Sequence, residues 1–210
     1  DGLTAEDGRP VAPPEAISGV LAAAAGDPHA RFAIRPYPAH LECVVTATDG
    51  AAYRLRPIRA EDEPGLTRLG AQMTADDLRL RFFQPMRTLS HEMAARLTQI
   101  DYDREMAFAL FPLEGDAILA VVRLHREPRG DSAEFAVTVR SDLKGRGLGR
   151  LLMERIVAYA ETQNLKSIFG IVLAENKAML HLARAVGFTP RLEPGDATLV
   201  RVERELKKTA

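Results

Sequence analysis

A strand-like run leads into a glycine-rich turn and then into a helix-like segment at residues 137–150. Three glycines alternate with other residues in this turn, and Lys144, Arg146 and Arg150 flank them without any intervening acid. Glycine lets a backbone approach a ligand closely, and the first-turn N–H groups of a helix have no partner within it. The helix macrodipole also attracts anions, so this segment predicts a phosphate or pyrophosphate site. Its residues, which we call the glycine turn, are Lys144, Gly145, Arg146, Gly147, Leu148, Gly149 and Arg150.

The spacing of the glycine turn differs from that of two common nucleotide-binding loops. A P-loop carries Lys and then Ser or Thr after its last glycine, whereas Lys144 precedes the glycines here. A dinucleotide-binding turn has the spacing G-x-G-x-x-G, whereas this turn reads G-x-G-x-G. A tight strand-to-helix connection without a ligand is the alternative, although a connection alone does not require three flanking cations.

Hydrophobic periodicity, turn residues and capping residues predict the elements that position this turn. Asp49-Gly50 is a strong hairpin signal, because a type I′ turn needs two residues with positive φ. Thr74, with Asp77 three residues later, and Ser90 are typical helix N-caps. The predicted strands are 41–48, 52–58, 105–113, 117–125, 133–139, 167–173, 188–192 and 197–203, and the predicted helices begin near 61, 74, 90, 148 and 176.

The order of these elements predicts an α/β fold in a single domain. Strands and helices are mixed at first, and the remainder reads strand, glycine turn, helix, strand, helix and strand. A length of 210 residues suits one domain, or one domain with a tail.

Charge and composition exclude several classes of protein. Lys and Arg total 28 against 29 Asp and Glu, and this balance argues against non-specific nucleic-acid binding. The single cysteine, Cys43, excludes an internal disulfide and a cysteine-based zinc site. No apolar run approaches about 18 residues and no basic leader precedes one, so we expect no membrane span and a cytoplasmic setting.

The first residues differ in composition from the rest of the chain. Residues 1–28 are rich in Gly and Pro and carry more acids than bases, which is typical of a linker. A short helix packed on the domain is the alternative for this region. We expect 1–40 to be a linker or the end of an upstream domain, and 41–207 to be the folded domain. Because the chain begins with Asp1, we expect an excised fragment or a processed chain.

The glycine turn, Lys144-Gly-Arg-Gly-Leu-Gly149, resembles the pyrophosphate loop of the GNAT acyltransferase superfamily. Asn176, followed by Gly187-Phe188, resembles a second GNAT segment. The resemblance covers about 53–207 and implies a GNAT fold, which is α/β (α+β) with a mixed, mostly antiparallel sheet flanked by helices. A closer likeness to bacterial Pat-type protein lysine acetyltransferases lies in the blocks 55–63, 79–83, 97–105 and 133–137.

This resemblance implies acetyl-CoA as co-substrate, with its pyrophosphate on the glycine turn and no metal. The pantetheine arm would run along Val137, Thr138 and Val139 almost as an added strand. Asn176 would lie near the thioester, and its simpler role as a helix N-cap is compatible with that position. Pat-type domains are often fused to an acyl-CoA synthetase-like region, and residues 31–41 resemble that junction. The partner that the resemblance implies is a protein substrate, an acyl-CoA synthetase.

Acyl transfer to lysine requires removal of a proton from the attacking amine. An ammonium with a pKa near 10.4 is only about 0.1% neutral near pH 7.4, so a base contributes about 10²–10⁴-fold. Glu134 is the predicted base, because it shares a strand face with the small residues Ala136 and Thr138. The glutamate of the matching Pat block has the same role. An ion pair of Glu134 with Arg123 or Arg140 is the alternative.

Other residues are weaker candidates. His125 is a second possible base, and the acidic stretch 101–105 could bind a cationic lysine or form a solvated turn. Ala183 stands where many GNAT enzymes have a Tyr general acid, but a CoA thiol leaves readily as thiolate, so no acid is required. Tyr159 and Cys43 are expected to pack in the core, and the other histidines lack metal-ligand spacing.

The sequence therefore predicts a protein Nε-lysine acetyltransferase that moves acetyl directly from acetyl-CoA to a lysine. An acetyltransferase for small-molecule amines is one alternative, and a CoA-sensing domain without catalytic activity is another. An open, acidic acceptor groove would favour the protein substrate.

Overall fold

The structure is a computed structural model that describes residues 35–48, 50–128 and 131–207. The predicted linker or helix within 1–28, and Asp49 of the predicted hairpin turn, lie outside the described residues. No helix in the described part is long and apolar enough to cross a membrane.

The described residues form eight strands and five α-helices, which closely follow the predicted order. The strands are β1 (Cys43–Thr46), β2 (Ala52–Pro57), β3 (Glu105–Pro112), β4 (Ala120–Arg126), β5 (Ser132–Val139), β6 (Ser167–Leu173), β7 (Thr189–Glu193) and β8 (Asp196–Glu205). The helices are α1 (Glu63–Ala71), α2 (Ala75–Phe82), α3 (His91–Thr98), α4 (Leu148–Thr162) and α5 (Lys177–Ala185).

All eight strands belong to one sheet with the order β1-β2-β3-β4-β5-β6-β8-β7. Every neighbouring pair is antiparallel except β5 and β6, which run parallel and are connected by α4. A parallel pair needs a crossover connection, and a helix of this length supplies one. The expected mixed, mostly antiparallel sheet is confirmed.

Helices cover both faces of the sheet, and the alternation along β3 shows how. Phe108 and Leu110 pack in the cluster that includes α4 and α5, whereas Ala107 and Phe111 pack in the cluster that includes α1. Successive strand residues point to opposite faces, so a strand covered on both sides is apolar throughout. The sheet is therefore the middle of three layers.

The helix starts agree with the capping residues in the sequence. The Thr74 hydroxyl accepts a hydrogen bond from the N–H of Asp77 at 3.2 Å, and Ser90 accepts one from Met93 at 3.1 Å. The side-chain oxygen of Asn176 accepts from Met179 at 3.1 Å. Each bond pairs a first-turn N–H that the helix itself cannot satisfy, so all three predicted N-caps are confirmed.

The hairpin between β1 and β2 is present, but its turn differs from the predicted type I′ turn at Asp49-Gly50. The N–H of Gly50 donates to the carbonyl of Ala47 at 3.0 Å, so the turn closes one residue earlier. Gly50 occupies the last turn position with a φ of 83°, where glycine is favoured. The prediction of a two-residue turn was wrong, and the longer connection brings Thr48 against the glycine turn.

Strands β5 and β6 pair over only three residues before they diverge. The pairs join 132–134 of β5 to 167–169 of β6, and in the described part β5 has no strand partner on that side beyond Glu134. The Phe135 ring fills the space beside Gly170, where an added Cβ would lie only 2.8 Å from ring atoms. A ring that also packs on Phe188, with centroids 4.9 Å apart, therefore holds the two strands apart.

A buried ion pair connects β2 to the start of α1. Arg56 donates to both carboxylate oxygens of Asp62, at 2.7 and 2.6 Å, and both side chains are less than a tenth exposed. The N–H of Arg59 donates to the same carboxylate at 2.9 Å, and the Arg56 guanidinium lies 4.3 Å from the Phe111 ring centre. Such bidentate geometry is the form in which a buried pair is best compensated.

Candidate active site

A cavity of about 400 Å³ lies where β5 and β6 diverge. Its walls come from β5, the glycine turn, α2, β6 and the start of α5. Every residue that the sequence predicted for the site, except Arg146, lines this cavity. They are Glu134, Val137, Thr138, Val139, Lys144, Gly145, Gly147, Leu148, Gly149, Arg150 and Asn176.

The three glycines of the turn are required for different reasons. Gly145 has a φ of 78° with open space around its Cα, so only its backbone conformation demands glycine. Gly147 has a φ of 83°, and an added Cβ would lie 2.3 Å from the Thr48 hydroxyl. Gly149 lies inside α4, where an added Cβ would come within 3.1 Å of Leu182 on α5. The turn is therefore shaped by its conformation and by two close contacts.

The cavity offers backbone donors of two kinds. The first intrahelical bond of α4 runs from the N–H of Leu151 to the carbonyl of Gly147 at 3.0 Å, so the N–H groups of 148–150 precede it. Along β5, residues 135–139 have backbone groups without a strand partner on the β6 side in the described part. The first set suits an anion, and the second suits an extended chain that pairs like a strand.

Two of the three cations in the glycine turn form ion pairs with carboxylates of the protein. Lys144 forms an ion pair with Asp77 of α2, and Arg150 forms one with Glu154 at 2.8 Å on α4. Arg146 is exposed and lies outside the cavity lining, so its role in binding an anion stays a prediction. An anion would meet cations that already have carboxylate partners.

Helix α2 is attached to both rims of the cavity. Asp77 accepts hydrogen bonds from Ser141 and Lys144, and Arg79 donates to Glu175 beside Asn176 at 2.5 Å. Burial raises the pKa of Asp77, but the bonds from Lys144 and Ser141 outweigh this and lower its pKa overall. This carboxylate therefore stabilises the fold above its ordinary pKa near 4 and stops doing so only as the pH falls through its lower folded value.

Glu134 lies half-buried at the end of the cavity where β5 and β6 still pair. The two arginines proposed as its alternative partners are engaged elsewhere, Arg123 with Glu105 at 3.2 Å and Arg140 with Asp142 at 2.7 Å. The ion-pair alternative is therefore wrong for both. Among the described residues Glu134 has no ion-pair partner, so its carboxylate is available to a ligand.

Sequence reasoning missed Arg81 of α2, which lines the same cavity as Glu134. Its Nε atom is buried without a hydrogen-bond partner in the part of the chain that the structure describes. Burial, together with the nearby Arg123 cation, lowers the pKa of Arg81 to about 10, and Glu134 opposes that change. The position of Arg81 within the 79–83 block gave no signal of this, because only tertiary packing brings α2 onto β5.

The other candidate residues lie outside the cavity lining. His125 pairs with Glu105 at 3.0 Å and stands opposite Glu134 in the β4–β5 register. Asp101 accepts from the N–H of Asp103 in a turn, which agrees with the solvated-turn interpretation of this stretch. In the described part, no cluster of His, Cys, Asp and Glu could hold a metal ion.

No tyrosine reaches the cavity to act as a general acid. Ala183 is completely buried within α5, and none of the four tyrosines, all of which the structure describes, lines the cavity. Tyr159 packs edge-on against Phe108 with centroids 5.7 Å apart, as expected for a core position. If catalysis takes place here, the thiolate must leave without help from a tyrosine.

Substitution of Gly147 by Ala should weaken CoA binding more than substitution of Gly145. Both variants place a Cβ at positive φ, which costs roughly 1–2 kcal/mol, but only Gly147→Ala also collides with Thr48. We expect a loss of at least about tenfold in CoA affinity for Gly147→Ala by calorimetry, and a smaller loss for Gly145→Ala. Adding Thr48→Ala should bring Gly147→Ala back to the Gly145→Ala level, and equal losses without such rescue would contradict this account.

A sheet that opens beside a glycine turn and a helix N-terminus can hold an anion and an extended chain next to each other. Residues 53–189 match the model of the family described as the acetyltransferase (GNAT) domain. The chain therefore belongs to the GNAT acetyltransferases and is an acyl-CoA-dependent N-acyltransferase with a GNAT fold.

Individual relatives agree with this assignment. Acetyltransferase PA5475 of Pseudomonas aeruginosa is 29% identical over 160 residues, which cover 75% of this chain and 86% of that protein. The crystal structure of the GNAT domain of S. lividans PAT is 30% identical with a TM-score of 0.75, covering 81% of this chain and all of that one. Spermidine N-acetyltransferase from Vibrio cholerae, solved with CoA and spermine, shares the fold at 22% identity and a TM-score of 0.60, covering 74% of this chain and 96% of that one.

Proposed function

We propose that this domain transfers acetyl directly from acetyl-CoA to the side-chain amine of a lysine in a protein, with Glu134 as general base. The observation that carries the proposal is the position of Glu134. It is a carboxylate without an ion-pair partner in the described part, at the last pair of β5 and β6, in a cavity that the glycine turn also lines. A base at the far end of a CoA site is where an attacking amine would lose its proton.

The shape of the cavity supports acetyl-CoA as the co-substrate. The N–H groups of 148–150 would hold the pyrophosphate at the N-terminus of α4, together with Lys144 and Arg150. The pantetheine arm would pair with β5 along 137–139. From Val139 at its end back to Glu134, β5 spans about 16 Å, at about 3.3 Å per residue, which suits an extended pantetheine arm. The thioester would then lie close to Glu134 and Ala136.

Two parts of the site would lower the barrier. Glu134, directly or through a water molecule, takes the proton from the ammonium, and the neutral amine attacks the thioester carbon. The rigid strand and helix then hold the amine and the thioester together, which is a large source of rate enhancement in acyl transfer. The thiol of CoA leaves as the thiolate, since no tyrosine lies in the cavity lining.

The choice of a protein lysine over a free amine is supported by the Pat likeness. The GNAT domain of S. lividans PAT is covered over its whole length by this chain, at 30% identity. An acyl-CoA synthetase is the substrate we infer from the Pat resemblance, with the reaction taking place in the cytoplasm. Fusion of this domain to a synthetase-like region stays a prediction.

Mass spectrometry of acyl-CoA synthetases incubated with acetyl-CoA and this chain tests the proposal. We expect a mass increase of one acetyl group on a single active-site lysine, absent when acetyl-CoA is omitted. Parallel assays with spermidine and other polyamines should show little release of CoA. Turnover with polyamines but not with proteins would replace the proposal with a small-amine acetyltransferase. CoA binding without any turnover would leave only a CoA-sensing domain.

A further inference from the structure

Arg81 occupies a position between two cavities. It lines the main cavity, and it also lines a small cavity of about 20 Å³ whose walls come from α1, α2, α3, β4 and β5. The residues of β5 shared by both cavities are Ala136 and Thr138, whose small side chains leave the guanidinium accessible from the main cavity. Arg81 therefore lies at the strand face that Glu134 shares with Ala136 and Thr138.

The guanidinium of Arg81 lies 4.7 Å from the centre of the Phe82 ring but has no carboxylate partner among the described residues. Its Nε is buried without a hydrogen-bond partner in the described residues, and no ion pair of Arg81 occurs there either. Its neighbour Arg123 is fully engaged, with Glu105 on one side and the carbonyl of Leu97 on the other. A guanidinium with a free N–H donor suits a ligand atom that carries or develops negative charge.

The ligand atom that Arg81 contacts must lie close to Glu134, because both residues line the same cavity. Glu134 acts electrostatically on Arg81, but the two side chains form no hydrogen bond. A direct bidentate pair would tie up the carboxylate that has to accept a proton. Both side chains line the same cavity, so a thioester next to Glu134 and Ala136 would also lie within reach of Arg81.

We propose that Arg81 donates a hydrogen bond to the carbonyl oxygen of the thioester and stabilises the oxyanion that develops on it. The inference rests on the proposed function. In the step concerned, Glu134 has already taken one proton from the ammonium. The lone pair of the amine then forms the new C–N bond while the C=O π pair moves onto the oxygen. Collapse restores the C=O bond and breaks the C–S bond, and the sulfur leaves as the thiolate of CoA. The nitrogen, which still carries two hydrogens and a positive charge, gives its second proton to this thiolate, so that the products are a neutral amide and CoA.

This assignment keeps the charge of Arg81 compensated throughout the reaction. Before attack, the counter-charge is the Glu134 carboxylate, which lines the same cavity. When Glu134 takes the proton it becomes neutral, and the negative charge appears on the carbonyl oxygen. The guanidinium thus faces one negative charge in both states, and a fixed donor in a desolvated cavity does not need to reorganise.

Substitution of Arg81 by Met and by Lys tests the assignment. We expect Arg81→Met to lower kcat by about 10²–10³-fold and Arg81→Lys to retain part of the activity. The affinity for CoA, measured by calorimetry, should stay within about threefold of wild type, because CoA lacks the acyl oxygen. Arg68→Met is the matched control, since Arg68 pairs with the exposed Asp116 outside the cavity and its loss should leave kcat unchanged.

Chemical rescue separates a catalytic role from a structural one. Guanidinium ion added to Arg81→Gly should restore part of the activity, whereas it should not affect Glu134→Gln. Unchanged kcat in Arg81→Met, or a loss in Arg81→Met together with no rescue in Arg81→Gly, would overturn the assignment. A wild-type preference for malonyl-CoA over acetyl-CoA that disappears in Arg81→Met would also overturn it, in favour of a site for an acyl carboxylate. Absence of turnover in wild type would instead refute the proposed function.

Discussion

Replacement of Glu134 by Gln is expected to lower kcat by at least about 10²-fold while leaving the affinity for acetyl-CoA unchanged. Glutamine has the same shape and can still form hydrogen bonds, but it cannot take a proton from the ammonium. Because Glu134 has no ion-pair partner in the described residues, the change breaks no bridge that stabilises the fold. The measurement is steady-state release of CoA with a protein acceptor, together with calorimetric binding of acetyl-CoA.

Glu92→Gln is the control for this variant. Glu92 is an exposed residue in the first turn of α3 and does not line the cavity, so its neutral replacement should leave kcat unchanged. A Glu134→Gln variant that keeps full activity would exclude Glu134 as the base. His125 would then become the next residue to test, because it stands opposite Glu134 in the sheet and is oriented by Glu105.

The largest effect on stability is expected from Asp62→Ala. This change removes both acceptors from Arg56 and leaves a guanidinium that is buried without a carboxylate. Breaking a buried pair on one side costs about 3–5 kcal/mol of unfolding free energy. For a domain of this size, the midpoint of thermal unfolding should fall by roughly 6–20 °C, as differential scanning calorimetry would show.

Two comparisons define the origin of that loss. Removal of both partners in Arg56→Met with Asp62→Leu should cost less than Asp62→Ala alone, because no charge is then left buried. Asp116→Ala, which breaks the exposed pair with Arg68, should leave the unfolding midpoint unchanged. A double variant that is less stable than Asp62→Ala would show that the pair itself contributes net stability.

Local sequence patterns predicted the parts of the fold that depend on neighbouring residues. The N-caps Thr74, Ser90 and Asn176 each bond a residue three positions later, so their signal lies within a single turn. The strand 167–173 was predicted with its observed limits, because its apolar run is bounded by polar residues. The glycine turn was recognisable for the same reason, since its conformation depends on its own glycines.

Contacts between distant residues were not predictable in the same way. Asp77 meets Lys144 across 67 positions, and Arg79 meets Glu175 across 96, so no local spacing reveals either pair. Arg81 belonged to a recognised block, but its place in the cavity depends on how α2 packs over β5. The alternative to a catalytic role for Glu134, an ion pair with Arg123 or Arg140, failed for the same reason, because Arg123 pairs with Glu105 of the neighbouring strand and Arg140 with Asp142.

Because β5 and β6 pair over only three residues, a bound pantetheine arm would complete the sheet along the rest of β5. Amides that no strand protects exchange their hydrogens with solvent, and a bound pantetheine arm would protect them as a ninth strand would. By mass action, the free energy of unfolding then depends on the concentration of CoA. At about 100 times its Kd, CoA adds about 2.7 kcal/mol to the stability of a domain that binds it only when folded. The lifetime of this domain against unfolding and proteolysis would therefore rise and fall with the concentration of CoA and of acetyl-CoA.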